Sequence, residues 1–161
     1  MPAATLLAVC LSDTKGHRKH PCARGRLRTA HGLEGDAHAG PWHRQLSLLT
    51  LSDIESMRAR GLPDLTFGSF AENLVIDGLD FEKLGPGSRL RLGADAEIRL
   101  TQIGKECHAA CAIRTQAGDC IMPTRGLFAE VLHGGDLVPG DAVVVLEAVP
   151  RPLAVTTKEC P

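Results

Sequence analysis

Cys107, Cys111 and Cys120 fall within one short stretch of this 161-residue chain. Cys107 has Lys105 two residues before it and His108 directly after it, in Gly104-Lys-Glu-Cys-His-Ala-Ala-Cys. A neighbouring cation lowers a thiol's pKa and raises its thiolate fraction. A thiolate is both a soft metal ligand and a sulfur nucleophile. Three chemistries compete here. Cys107 can be a reactive or ligating thiolate, with Cys111 or Cys120 as a resolving or relay partner. Cys107, Cys111, Cys120 and His108 can together hold zinc, although the spacing is not that of a zinc finger and adjacent Cys-His rarely serve one ion. Cys111 and Cys120 can also be small buried hydrophobes. The first reading is favoured, and the C-x-x-C-H haem signature is absent.

A second candidate stretch is Gly32-Leu-Glu-Gly-Asp-Ala-His-Ala-Gly-Pro-Trp-His-Arg-Gln. Its glycines allow the backbone to approach a ligand closely. His38, His43 and Arg44 add donors, and a guanidinium can fork onto a phosphate. The stretch is read first as an anion or cofactor site. The alternative is a metal held by His38, His43 and Asp36. Upstream, no acid occurs between Asp13 and Glu34, while Lys15, Arg18, Lys19, Arg24, Arg26 and Arg28 all do. That run is either a solvated basic loop or part of an anion site. A third stretch is Phe67-Gly-Ser-Phe-Ala-Glu-Asn-Leu. There Glu72 is expected to pin a turn through its side chain, and Asn73 to offer a polar contact to a ligand.

The elements that must position these groups read mostly as strands. Ala4 to Leu11 is a short apolar run, as are Gln45 to Thr50, Asn73 to Ile76 and Ala142 to Leu146. Arg89 to Leu92 and Ala96 to Gln102 read as a hairpin around Gly93-Ala94-Asp95. Ser52, with Glu55 three residues on, predicts a capped helix over Asp53 to Arg60, ended by Gly61. Arg125 to His133 reads as a short helix stopped by Gly134-Gly135. Ser12 to about Gly40 has no clear periodicity and is long for a structureless connection. Two Pro-Gly turns, at Pro86-Gly87 and Pro139-Gly140, each launch an apolar strand. Short strands punctuated by turns predict a mostly β fold, a compact barrel with a few short α-helices.

Composition bounds the rest. With 43% hydrophobic residues but one Trp, four Phe and no Tyr, the core must be aliphatic. The same scarcity disfavours a base-stacking nucleic-acid module. It also predicts a ligand held by backbone, cations and a thiolate rather than by rings. Net charge is −1, which gives no global attraction to nucleic acid or to acidic membranes. No apolar run reaches the roughly 20 residues of a membrane span, and Met1 to Leu11 lacks the basic region of a signal peptide. One domain over residues 1–149 with a flexible tail over 150–161 is expected, in the cytoplasm.

Several motifs then occur in a telling order: Gly-Leu-Glu-Gly-Asp-Ala-His-Ala-Gly (32–40), His-Arg-Gln-Leu-Ser-Leu-Leu (43–49), Phe-Ala-Glu-Asn-Leu (70–74), Leu-Gly-Pro-Gly-Ser-Arg-Leu-Arg-Leu-Gly (84–93), Thr-Gln-Ile-Gly-Lys-Glu-Cys (101–107) and Gly-Asp-Ala-Val (140–143). Together they resemble the MOSC domain family, named after the C-terminal part of molybdenum cofactor sulfurases, in its small stand-alone bacterial form. The resemblance spans roughly residues 4–147 and implies a barrel-like β fold that works with a molybdopterin-type cofactor. It implies that Cys107 ligates molybdenum or carries sulfur, and that Arg44, His38 and His43 belong to the pterin-phosphate region. Lys15, Arg18 and Lys19 lie in a motif similar to that of a subgroup of small members. Asn73, Lys105 and Arg125 complete the expected cofactor contacts. Cys111 and Cys120 depart from the general pattern of the domain.

The expected function is to carry, protect, sulfurate or insert the molybdenum cofactor, with a molybdoenzyme acceptor or a cysteine desulfurase as partner. One alternative is reduction of N-hydroxylated compounds with electrons from a separate donor, since the chain has no G-x-G-x-x-G and no ferredoxin-like cysteine run. Another is persulfide carriage on Cys107 without metal. Pyridoxal phosphate is a weaker family-level association.

Overall fold

The computed structural model describes residues 4–15, 17–61, 65–104 and 125–151. The strands are β1 (Ala4–Leu11), β2 (His20–Cys22), β3 (Gly25–Arg28), β4 (Gly32–Leu33), β5 (Leu46–Thr50), β6 (Leu74–Asp77), β7 (Arg89–Leu92), β8 (Ala96–Ile103), β9 (Leu127–His133), β10 (Gly135–Leu137) and β11 (Ala142–Glu147). One helix, α1 (Leu51–Ala59), and a 3₁₀ turn, Phe81–Lys83, interrupt them. Strand order runs β11-β7-β8-β9-β5-β6-β1, and pairing of β1 with β11 closes the ring into a seven-strand barrel, as expected. Every neighbour in the ring is antiparallel except β5 and β6. Those two are parallel because α1 carries the chain across between them. β2 adds to β1 outside the ring, and β10-β3-β4 form a second small sheet.

Side-chain alternation divides the apolar residues into two cores. On β5, Leu46 and Leu48 join the large cluster while Leu49 joins a smaller one. On β6, Leu74 and Ile76 go to the first and Val75 to the second. On β9, Leu127, Ala129 and Val131 face the first and Phe128 the second. The large cluster fills the barrel; the smaller one packs the wall against Ile54 and Met57 of α1. β1 obeys the same rule only because its register slips between Leu6 and Ala8. Ala4 and Leu6 face the large core before that bulge, and Val9 does so after it. Ala8 and Cys10 are thereby turned toward α1. Both cores are aliphatic in the main, as the composition requires.

Four expectations need correction. Residues 127–133 are strand β9 rather than part of a helix, paired on both sides with β5 and β8. Leu-Phe-Ala-Glu-Val-Leu-His puts apolar groups on both faces of a central strand, and such a run carries no period by which to reject a helix. Gly134 is no helix stop either. A Cβ there would lie 2.5 Å from the Leu27 carbonyl, so glycine permits the passage into β10. The helix begins earlier than expected: Thr50 is the N-cap, and Asp53, not Glu55, completes the capping box. Lastly, Ser12 to Gly40 is not structureless, since β2, β3 and β4 lie within it and bury Leu27 and Leu33. The Pro-Gly turns are as expected, with Gly87 at φ 98° and Gly140 at φ 102°. At the end of the described chain, Arg151 Nε donates to the carbonyls of Phe81 and Leu84; residues 152–161 of the expected tail lie outside the described residues.

The cap gives a direct test of α1. Thr50→Ala removes the acceptor for the Asp53 amide and is expected to cost about 1 kcal/mol, read as a lower urea midpoint at unchanged slope.

Candidate functional site

A cavity of about 340 Å³ opens beside the β5–β9 pair. Ser47 and Phe128, opposite one another in that ladder, form part of its wall. Phe70 and Ala71, from the turn before β6, form another part. Lys15, His38, Trp42 and Arg44 supply the rest from the glycine-rich and basic segments. Volumes of this order are those of small-molecule sites.

The Arg44 guanidinium carbon lies 4.7 Å from the Trp42 ring centre and 5.5 Å from that of Phe128. The Lys15 ammonium stands 5.7 Å from the Trp42 ring. Both cations thus stand against aromatic faces, and neither is paired with a carboxylate among the described residues. Arg44 Nε is buried and has no hydrogen-bond partner among the described residues. A buried donor without a partner is costly, and the residue that carries it lines the cavity. The site therefore asks for an acceptor, and two cations make an anionic acceptor the favourable one. Three of the chain's five aromatic residues, Trp42, Phe70 and Phe128, line it. The expectation of a ligand site without rings is corrected accordingly. The only signal in the sequence was Trp42 two residues before Arg44.

The wall segments are fixed by buried polar groups. Trp42 Nε1 donates to the His38 carbonyl at 2.7 Å. Ser47 Oγ donates to the carbonyl of Ala71, which sits at φ 62°, a conformation a non-glycine residue adopts only when held. Glu72 is fully buried and accepts from the amides of Gly68 and Phe70 at 2.8 and 3.0 Å, the turn-pinning role expected of it. Gly68 cannot be otherwise: its φ is 92°, and a Cβ would clash with the Lys19 carbonyl.

The structure brings together only some of the residues singled out above. Lys15, His38 and Arg44 line the cavity. Lys19 does not; its ammonium is buried and lies 2.6 Å from Asp36 Oδ1. Asn73 is also buried, with its carbonyl oxygen accepting from the Ser47 amide and its amide donating to the Cys10 carbonyl, so it braces β5 against β1 instead of facing a ligand. His43 shares a hydrogen bond of 2.7 Å with Gln102 and stands edge-on to Trp42, steadying the indole. Arg18 lines a separate, shallower groove with His17, His20 and Cys22. Arg125 pairs with Asp53 at 2.8 Å and Glu82 at 3.1 Å and is not among the cavity residues.

The alternative metal site of His38, His43 and Asp36 is not formed: Asp36 is bonded to Lys19, Ser12 and His38, and His43 turns to β8. Among the described residues no three His, Cys, Asp or Glu side chains converge to hold a metal. Cys107, Cys111, Cys120 and Lys105 lie in residues 105–124, outside the described residues. The chain leaves for that segment at Gly104, whose amide donates to the Gly126 carbonyl at 2.7 Å, and it returns just before Phe128 of the cavity wall.

The sequence profile of the MOSC domain matches residues 34–144. Among solved structures, the chain is similar to the YuaD protein of Bacillus subtilis, with a TM-score of 0.73 and 18% identity over 89% of this chain and 96% of that one. It is also similar to YiiM from Geobacillus stearothermophilus, with a TM-score of 0.68 and 16% identity over 89% and 75% of the two chains. YiiM from Escherichia coli gives a TM-score of 0.68 and 19% identity over 92% and 72%. At such identities the likeness is one of fold. No curated protein is a significant sequence match. No helix among the described residues is long and apolar enough to cross a membrane.

Proposed function

Since the chain belongs to the MOSC domain family, a family associated with the molybdenum cofactor, we propose that it binds that cofactor and carries, protects, sulfurates or inserts it through the thiolate of Cys107. The observation that carries this reading is the buried, unpartnered Nε of Arg44 at the edge of a cationic, ring-lined cavity. A molybdopterin-type ligand pairs a phosphate dianion with a flat heterocycle, and the donors present fit both parts. Lys15 and Arg44 would hold the phosphate by charge-assisted hydrogen bonds. Trp42 and Phe128 offer flat faces for the ring system, already occupied in part by the Arg44 guanidinium. When bound, the cofactor supplies a redox-active metal, for which Cys107 is the soft ligand suggested by the sequence. The chain's own contribution is to hold the anion, shield the ring and present one thiolate.

The test is to purify the full chain from cells able to make the cofactor and to measure molybdenum and released pterin. The wild type should retain both. Arg44→Ala should retain about 10- to 100-fold less pterin, the loss expected for one charge-assisted hydrogen bond. Cys107→Ser should lose molybdenum while keeping pterin. A wild type with intact Cys107 that holds neither molybdenum nor pterin would reject the reading.

A further inference from the structure

Arg44 stands where a flat ligand would stand. Its guanidinium carbon lies over the Trp42 ring at 4.7 Å and over the Phe128 ring at 5.5 Å. Partners in aromatic pairs lie about 4.5–7 Å apart, so the planar guanidinium fills the place of a ring stacked against both. The two rings are fixed. Phe128 is buried on β9, and the indole is tied to the His38 carbonyl. The backbone on either side of Arg44 is fixed as well. The His43 carbonyl accepts from the Thr101 hydroxyl, and the buried Gln45 side chain accepts from the Val131 amide. Among the described residues the Arg44 side chain has only the rings: it is paired with no carboxylate, and its buried Nε has no acceptor.

This position is a compromise. The guanidinium gains two ring faces and forfeits hydrogen bonds. Lys15, 5.7 Å from the same indole, adds a second positive charge nearby. An oxyanion entering the cavity reverses the balance, because it is attracted by both cations and offers Arg44 charge-assisted hydrogen bonds. An uncharged ring does not. It must evict a cation from its ring contacts and gives it nothing in return. We propose that Arg44 is a specificity-determining residue that fills the Trp42–Phe128 slot at rest and vacates it for an oxyanion, so that the cavity selects a molecule carrying an anionic group and a flat ring together.

The consequence is a coupling between the two halves of the ligand. A ring alone meets only the fraction of molecules whose slot is open, and its apparent affinity is lowered by that fraction. An oxyanion opens the slot, so each component raises the affinity of the other by one shared factor. The inference rests on the proposed reading of the cavity as a site for an anion joined to a ring; its test uses neither molybdenum nor the cofactor.

Inorganic phosphate and unsubstituted pterin, a bare anion and a bare uncharged ring, are titrated by calorimetry into the full chain near neutral pH, each alone and each with the other in excess. Phosphate should tighten pterin binding to the wild type about 5- to 10-fold, the worth of the ring contacts that Arg44 gives up, and pterin should tighten phosphate by the same factor. In Arg44→Ala the slot is always open. Pterin alone should bind this variant about 5- to 10-fold more tightly than the wild type, phosphate about 10- to 100-fold more weakly, and the coupling should vanish. Arg44→Lys keeps the charge without the flat group, so it should bind phosphate better than Arg44→Ala and still show little coupling. A wild type that binds the two probes independently would overturn the proposal and leave the proposed function standing. So would coupling that persists in Arg44→Ala, or pterin that binds Arg44→Ala more weakly than the wild type. A wild type that takes up no pterin even with phosphate present would overturn both.

Discussion

Asp36→Ala is expected to lower stability by about 3–5 kcal/mol, the cost of stripping the partner from a buried charge. Lys19 would remain as a lone ammonium at 3% exposure, and the amides of Ser12 and His38 would lose their acceptors. Burial already holds the Lys19 pKa below its ordinary value even with Asp36 present. Without Asp36 the group must shed its proton or draw water into the wall. The measurement is urea unfolding at neutral pH, and it carries its own control. In the double variant Lys19→Met, Asp36→Asn neither charge of the pair is left buried without its partner, so the loss should be smaller than the two single losses added together. If the double variant is as unstable as that sum, the pair is not coupled and the loss comes from packing.

The second large effect is a pH dependence. Burial, the dominant influence, pushes the Glu72 carboxyl up to about 7, against the amides of Gly68 and Phe70 and the attraction of Lys19, all of which favour the ionised form. A carboxyl whose pKa is higher folded than unfolded binds its proton more tightly in the native state. Its contribution to stability is therefore complete below the unfolded value of about 4.5 and disappears as pH rises through about 7. At about 1.4 kcal/mol per pH unit, the wild type should lose roughly 3 kcal/mol relative to Glu72→Gln between those limits. Urea midpoints of the two proteins measured across that window read the difference. Parallel profiles would show that Glu72 does not titrate there. The turn that Glu72 holds bears Phe70 and Ala71 of the cavity wall.

The barrel was legible in the sequence because short apolar runs and Pro-Gly turns report strands locally. The failures have physical causes. β9 has apolar groups on both faces, so its period is hidden; only its neighbours β5 and β8 make it a strand. β2 to β4 are too short to announce themselves, and β2 and β3 are also polar at their exposed positions. In the site, Arg44 and Lys15 were found from charge, and the structure places them on one cavity. Lys19 and Asn73 were chosen for the same polar character, yet both are buried and bonded within the fold. Residue type does not distinguish a donor aimed at a ligand from one aimed at its own backbone. That distinction depends on contacts between positions far apart in the chain, such as Asn73 with Cys10, 63 residues away.

The placement of Trp42 has an optical consequence. It is the chain's only tryptophan, and there is no tyrosine. All indole emission from the folded protein therefore comes from one ring on the cavity wall, flanked by Arg44, Lys15 and the edge of His43. Anything that enters and displaces the guanidinium or stacks on that ring changes the intensity and colour of a single fluorophore. The protein thus carries an unlabelled reporter of its own occupancy, and the scarcity of aromatic residues is what keeps that signal free of background.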